Sequence, residues 1–428
     1  MSQVIAPPNT PAGIQARWLL AASARLPIPI GELQAHFAAG FLHHVSPEQV
    51  NSALAGAGRL LGGSGAVEFT SVEVDQPRQL MLTVARAPNP PRVKVSLGVD
   101  GEGLISGLLL QPLAPPPPTS WSGVDAMVRS AAPEVRMLVA DVTSGTCRTV
   151  HAIDPTTPAP IGSVFKLYVL DAVGQAAASG SVAWNETLTA TSAVKSLPSG
   201  ELQSVPDGTQ VSVEDAAAKM ISISDNTATD MLIGRVGRPA VEAALTATGM
   251  SDPTLDRPFL TTREFFILKL EQWPTLARDY LEANEAGRRA LLARIDRMSL
   301  PALADAAAWT TPRDIGGIEW FASAEDLCRV YMSLRGLARR PGAAPIGRTL
   351  DINDGGLDLD PARWQRTWFK GGSEPGVLTM TYLAKTRSET SYFAAVLAED
   401  PNSAIDEAEA APAMLSAIKG ALTLAASS

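Results

Sequence analysis

The sequence predicts an α+β protein of two unequal domains, and three observations carry that prediction. Apolar-periodic segments followed by short β-rich ones fill the first quarter of the chain. A proline tract then interrupts it, and beyond that tract strand-like segments stand at both ends of a long helical stretch. The tract is QPLAPPPPTSW, residues 111–121. Its consecutive prolines Pro115–Pro118 favour an extended polyproline conformation that no helix or sheet interior accepts. It divides the chain into an N-terminal α+β domain at 1–111, a linker at 112–122 and a larger domain at 123–428.

In the first domain, Thr10-Pro11 reads as an N-cap and first helical residue, with Ile14, Trp18, Leu19, Ala22 and Leu26 recurring on one face. The proline-flanked IGELQAHFAAGFL predicts a second helix. Ser46-Pro47, with Gln49 at the capping-box position, opens a third. AVEFTSVEV, RQLMLTVAR, RVKVSLGV and GLISGLLL then predict an antiparallel meander, separated as they are by turn residues. Such a sheet packs on a helix and can cup a small ligand.

In the second domain, VRMLVADV at 135–142 predicts a strand, and a turn at Ser144–Thr146 leads into CRTVHAI. Helices are predicted from about residue 163, and strands return at WFKGG, VLTMTYLAK and SYFAAVLAE before a closing helix near 404–424. One sheet made from both ends of the domain, covered by a helical lobe, is the expected architecture. The polar helical pattern LEANEAGRRALLARID marks residues 272–310 as an insertion in that lobe.

Composition narrows the function. The chain has 428 residues, 46% hydrophobic and 18% charged, ordinary for a globular enzyme. A net charge of -9 without a basic stripe argues against a nucleic-acid partner. Cys147 and Cys328 are too few and too far apart for a disulfide framework or a cysteine zinc site. Two buried free thiols are the expected state, with a single bridge as the alternative. His36, His43, His44 and His151 include no pair at metal-ligand spacing, so neither a metal nor another cofactor is expected, and a Ser-His-Asp site is poorly supported. WLLAA at 18–22 is too short for a signal core, and no apolar run reaches membrane-spanning length. The expectation is a cytoplasmic monomer or homodimer that acts on a small molecule without membrane or nucleic acid.

Three short motifs carry the chemistry. Ser163-Val164-Phe165-Lys166 opens an apolar-periodic helix, and residues three apart share a helix face, which places the Lys166 amine beside the Ser163 hydroxyl. A serine is a poor nucleophile until a base takes its proton, and lysine is that base only when burial and nearby positive charge lower its pKa. Ser224-Asp225-Asn226 follows in MISISDNTATDML. Lys370-Gly371-Gly372-Ser373 follows the strand-like TWF, placing a lysine at a strand end with glycines that let a substrate lie close. Each alone has a plainer reading, as a helix cap or a glycine turn.

In their order and spacing these motifs resemble the S-x-x-K, S-D-N and K-T-G motifs of the serine (class A) β-lactamase and penicillin-binding-protein superfamily. The resemblance covers residues 123–428 and implies a class A-like fold. It implies Ser163 as the acylated nucleophile, Lys166 as general base or proton relay, Ser224 as proton shuttle to the leaving group, and Lys370 as the cation that polarises Ser224 and helps hold a substrate carboxylate. The backbone N–H groups of Ser163 and Ser373 would form the oxyanion hole. Asn226, Gly371, Gly372 and Ser373 would line the substrate, and Asp225 would be structural.

Two departures stand out. The family's omega-loop glutamate, in an E-x-x-L-N context, activates the water that releases the acyl group. Here the nearest candidate, Glu264, lacks that context and fits a capping box with Thr261. Gly371 replaces a serine or threonine whose hydroxyl helps hold a substrate carboxylate. The two-domain arrangement is similar to proteins of clavulanic acid biosynthesis clusters, whose N-terminal domain resembles steroid isomerases and the NTF2-like fold. The reading that follows is a serine esterase or acyl hydrolase of secondary metabolism, weak towards β-lactams. A class A β-lactamase or D,D-peptidase, and a β-lactam-binding module without turnover, stay open as alternatives.

Overall fold

The computed structural model describes residues 7–61, 67–86 and 92–427, and within these the side chains of His44, Arg59, Leu60 and Pro112 lie outside the description. The chain divides near Pro116 and Pro117 into two compact units.

The first unit opens with α1 (Pro11–Ser23), where the Thr10 side chain accepts from the Gly13 N–H and proline occupies the first turn. Its buried face is Ala12, Gln15, Ala16, Leu19 and Ala22, whereas Ile14 is 51% exposed and Leu26 lies beyond the helix, which corrects the predicted face by about one position. The segment predicted as one helix is two, α2 (Ile30–His36) and α3 (Ala39–His44), because Phe37 and Ala38 turn extended. Phe37 there bridges to Ile105. In α4 (Pro47–Leu60) the Gln49 side chain accepts from the Ser46 N–H and the Ser46 hydroxyl from the Gln49 N–H, a reciprocal capping box. Strands β1 (Val67–Gln76), β2 (Gln79–Arg86), β3 (Arg92–Val99) and β4 (Ile105–Leu113) form an antiparallel meander in that order. In β3 the buried residues alternate strictly, so one face meets the helices and the other does not.

The second unit is built on a five-stranded antiparallel sheet. After α5 (Trp121–Arg129) come β5 (Glu134–Asp141) and β6 (Arg148–Ile153). The rest of the sheet is β11 (Trp364–Glu374), β12 (Val377–Thr386) and β13 (Ser391–Glu399), in spatial order β11-β12-β13-β5-β6. The two ends of the domain thus share one sheet, as expected. Strand β13 is buried at every residue from Ser391 to Ala398, so both faces are covered and it reads as a continuous apolar run. Strand β11 is one edge of this sheet and β6 the other, and β11 carries Lys370, Gly371, Gly372 and Ser373.

Between the two halves lie α6 (Lys166–Ala178), α7 (Val213–Ser222), α8 (Asn226–Val236), α9 (Arg238–Ala247), α10 (Thr262–Leu270), α14 (Ala324–Leu337) and α15 (Pro345–Leu350); α16 (Glu407–Ala425) closes the chain. The expected insertion region holds α11 (Thr275–Glu282), α12 (Glu285–Ile295) and α13 (Leu303–Ala308). The pattern read as one helix is broken where the Asn284 side chain caps α12. Two short strand pairs complete the lobe: β7 (Ala159–Pro160) with β10 (Phe321–Ala322), and β8 (Thr187–Thr189) with β9 (Gln210–Ser212). The first pair brings the end of the inserted region against the segment that leads into Ser163. Phe165 stacks on Trp320 there at 3.7 Å, with Phe259 and Phe265 around them.

Cys147 and Cys328 are joined in a disulfide, which corrects the expectation of free thiols. The turn before β6 and the buried face of α14 meet with a Cα–Cα distance of 6.3 Å, within the span a bridge requires. A sequence separation of 181 residues hid that approach.

Candidate active site

Ser163 lies in a single 3-10 turn, Gly162–Phe165, that runs directly into α6. Lys166 is the first residue of α6 and is fully buried. Its Nζ donates to Ser163 Oγ at 3.0 Å, to Ser224 Oγ at 2.9 Å, to the Ser224 carbonyl at 2.7 Å and to Asn226 Oδ1 at 2.6 Å. Burial, and then the charge of Lys370, push the Lys166 amine well below the ordinary lysine range. A buried lysine of lowered pKa, touching a serine hydroxyl, is equipped to accept that serine's proton.

Ser224 sits between α7 and α8 with φ 56°, a left-handed conformation uncommon outside glycine. Its carbonyl is held by Lys166 Nζ and by the Ser199 hydroxyl at 2.8 Å, and its Oγ lies between the two lysines, 3.1 Å from Lys370 Nζ. Asp225 is structural, as the sequence implied. It caps α8 through the Ala228 N–H and also accepts from the N–H groups of Glu201 and Leu202. Asn226 Oδ1 accepts from Lys166 Nζ and its Nδ2 donates to the Leu197 carbonyl at 3.0 Å, so its amide orients the base.

Lys370 was expected at a strand end. Strand β11 instead continues through Gly371, Gly372 and Ser373 to Glu374, each paired with β12, so the two glycines are strand interior. Lys370 is buried, donates to Ser224 Oγ and to the Gly371 carbonyl at 2.6 Å, and is pushed down to about 7 by desolvation. A Cβ built on Gly372 would lie 2.4 Å from the Ser163 nitrogen, and one on Gly162 (φ 50°) would lie 2.9 Å from the Ser373 nitrogen. Only glycines let these backbones touch, which sets the Ser163 and Ser373 amides side by side at the mouth of the cavity. The cavity, about 280 Å³, is lined by Ser163, Ser199, Ser224, Lys370, Gly371, Gly372 and Ser373, and by the apolar Phe369, Leu378 and Met380.

Glu264 is not among these. It caps α10 through the reciprocal box with Thr261, and both its oxygens are engaged by the Arg238 guanidinium, at 2.6 and 3.1 Å. The residue of that helix that reaches the motifs is Thr262, whose hydroxyl donates to the Asn226 carbonyl at 3.2 Å. Among the described residues, no carboxylate lines the cavity.

Sequence reasoning missed five contributors. Ser199, Phe369, Leu378 and Met380 carry no motif signal. Glu319, whose carboxylate accepts from the Gly162 N–H at 3.2 Å, stands far along the chain.

A buried lysine between two serines, two juxtaposed strand and turn amides, and a mixed sheet-and-helix scaffold define a serine-hydrolase-type domain. That domain, the second unit of the chain, belongs to the serine β-lactamase/penicillin-binding-protein superfamily, and residues 121–318 match the model of the β-lactamase enzyme family. Residues 7–105 match the family described as ORF 12 gene product N-terminal. Among solved structures, the β-lactamase of Sphaerobacter thermophilus is 21% identical with a TM-score of 0.50, covering 71% of this chain and 96% of its own. A variant of a reconstructed class A β-lactamase, that of the last common ancestor of Gram-negative bacteria, is 15% identical with a TM-score of 0.50, covering 71% of this chain and 98% of its own. At these identities the likeness carries the fold alone. No curated protein matches the chain.

Proposed function

We propose that the protein is a serine hydrolase that works through an acyl-enzyme on Ser163, preferring small esters and turning β-lactams over slowly. The observation that carries the reading is a contrast. Lys166 Nζ stands 3.0 Å from Ser163 Oγ, while no carboxylate lines the cavity to activate a deacylating water. Neutral Lys166 takes the Ser163 proton as Oγ bonds to the acyl carbon. The developing oxyanion is met by the Ser163 and Ser373 amides. Ser224 passes the proton from Lys166 to the departing alkoxide, and Lys370 holds Ser224 in line. Water then cleaves the Ser163 ester, which restores the hydroxyl and releases the acid. An acyl-enzyme left by a simple ester is more accessible to unassisted water than the bulky adduct of a β-lactam.

A role in secondary metabolism belongs to the same proposal and rests on the two-domain resemblance. A cytoplasmic location is part of the proposal too, resting on the short apolar runs of the sequence, and one observation stands against it. Disulfides persist mainly in oxidising compartments, and Cys147 is bridged to Cys328. A panel of p-nitrophenyl esters and β-lactams, run on wild type and Ser163→Ala, tests the reading. Ester turnover should fall at least about a thousandfold in the variant. Nitrocefin should give a stoichiometric burst with slow release. Fast steady-state nitrocefin hydrolysis would instead favour the β-lactamase alternative.

A further inference from the structure

Beside the nucleophile, β11 and β12 present a small apolar shelf. Phe369 pairs with Tyr382 across the two strands, Gly371 with Met380 and Ser373 with Leu378, so these residues share one face of the sheet. The Phe369 ring is held from several sides. A Cβ built on Gly355 would lie 2.5 Å from Phe369 Cγ, and one on Gly371 would lie 2.8 Å from Phe369 Cζ. Both glycines therefore lack side chains where the ring lies. The Tyr382 ring is 4.9 Å away on a third side. The loop that carries Gly355 is tied down as well, since Asn353 Nδ2 donates to the Ser222 carbonyl at 2.7 Å and Asn353 Oδ1 accepts from the Gly355 N–H at 3.1 Å. The ring has no room to withdraw, so the hydroxyl that a serine or threonine at 371 would bring has no place beside it.

The polar inventory around the shelf is equally specific. Among the described residues, Lys370 is the single cation that lines the cavity. Its buried amine already donates to Ser224 Oγ and to the Gly371 carbonyl. A carboxylate set on Phe369, Leu378 and Met380 would give up hydration against three apolar side chains, which a neutral, apolar group does not.

We infer that the substrate of this site is an ester that presents an uncharged, apolar group to the Phe369–Met380–Leu378 shelf, and that Phe369 is the residue that selects it. This rests on the esterase reading of Ser163 and adds the substrate class to it.

The test compares p-nitrophenyl butyrate, which is neutral, with mono-p-nitrophenyl glutarate and 4-carboxyphenyl butyrate. These carry a carboxylate on the acyl and the leaving side respectively. The full-length protein is used, with Ser163→Ala as background. Wild type should favour the neutral ester over at least one anionic ester by tenfold or more in kcat/KM. Phe369→Ala should lower kcat/KM for the neutral ester about tenfold, mainly through KM, and narrow the gap. Phe369→Leu, which keeps apolar bulk, should fall between and guards against a folding defect. The inference is overturned if both anionic esters match or exceed the neutral one, or if Phe369→Ala leaves the neutral ester unchanged. If no ester shows Ser163-dependent turnover, the esterase reading fails and this inference with it.

Discussion

Lys166 and Lys370 stand within hydrogen-bond reach of one hydroxyl, Ser224 Oγ, and both are buried. Two ammonium groups so placed repel one another, and burial disfavours both charges. Lys166 is depressed first by desolvation and then by Lys370. Removing the Lys370 charge should therefore raise the Lys166 pKa. The residual esterase activity of Lys370→Met should show an acid limb moved to higher pH, and a profile that stays in place would contradict Lys166 as the base. The same substitution should alter stability. The Lys370 folded-state value of about 7 lies below its ordinary 10.5, so between those values the unfolded chain binds more protons and wild-type stability rises with pH. Lys370→Met should melt above wild type near pH 7, with the gap closing towards pH 10, as a thermal melt series would show. The pairing of Ser163 with Lys166 was legible from a three-residue spacing on a helix. The strain at Ser224 was not, because φ depends on what the surrounding chain holds in place.

At the scale of elements, the positions that differ from expectation are those where a side chain is claimed by a neighbour distant in sequence. The capping box that takes Glu264 was readable from Thr261, yet the Arg238 partner came only when the fold set the first residue of α9 beside the first turn of α10. The glycines after Lys370 suggested a turn, and they serve instead as strand interior pressed against the 3-10 turn. Beneath that contact lies a buried group that no motif announced. Glu319 accepts from the N–H groups of Gly162 and Trp320, at 3.2 and 2.6 Å, and feels the charge of Glu374, which Lys269 holds at 2.7 Å. Glu319 Oε1 has no donor facing it. Burial together with the Glu374 charge raises the Glu319 carboxyl well above its usual range, which favours a proton on Oε1. Glu319→Gln reproduces that protonated pattern and should keep kcat within about threefold of wild type. Glu319→Ala strands two buried N–H groups and should lose about 1–3 kcal/mol of stability for each. Its ester turnover should fall as Gly162 shifts. Equal damage in both variants, by kinetics and melting, would show that a charged carboxylate is what the site needs.

For the molecule as a whole, the Cys147–Cys328 bridge joins the sheet end of the second unit to α14 across 181 residues. A cross-link over so long a loop restricts the unfolded chain. Cys328→Ser should cost about 2–4 kcal/mol in a denaturant titration. Alkylation of the denatured, unreduced protein should show no free thiol by mass, and two labels would overturn the pairing. No helix among the described residues is long and apolar enough to cross a membrane.

The two-domain α+β order, the sheet drawn from both ends of the second domain, and the Ser163, Lys166, Ser224 and Lys370 motifs are all readable along the chain. Periodicity, caps and short motifs are local, and they survive being read along a line. Packing in three dimensions is what gives Asn226 to Lys166, joins Cys147 to Cys328, commits Glu264 to Arg238, and sets Phe369 between Gly355 and Gly371. Each of these is a contact between residues distant in sequence, and such contacts form only when packing brings buried polar groups and rings to the partners that satisfy them.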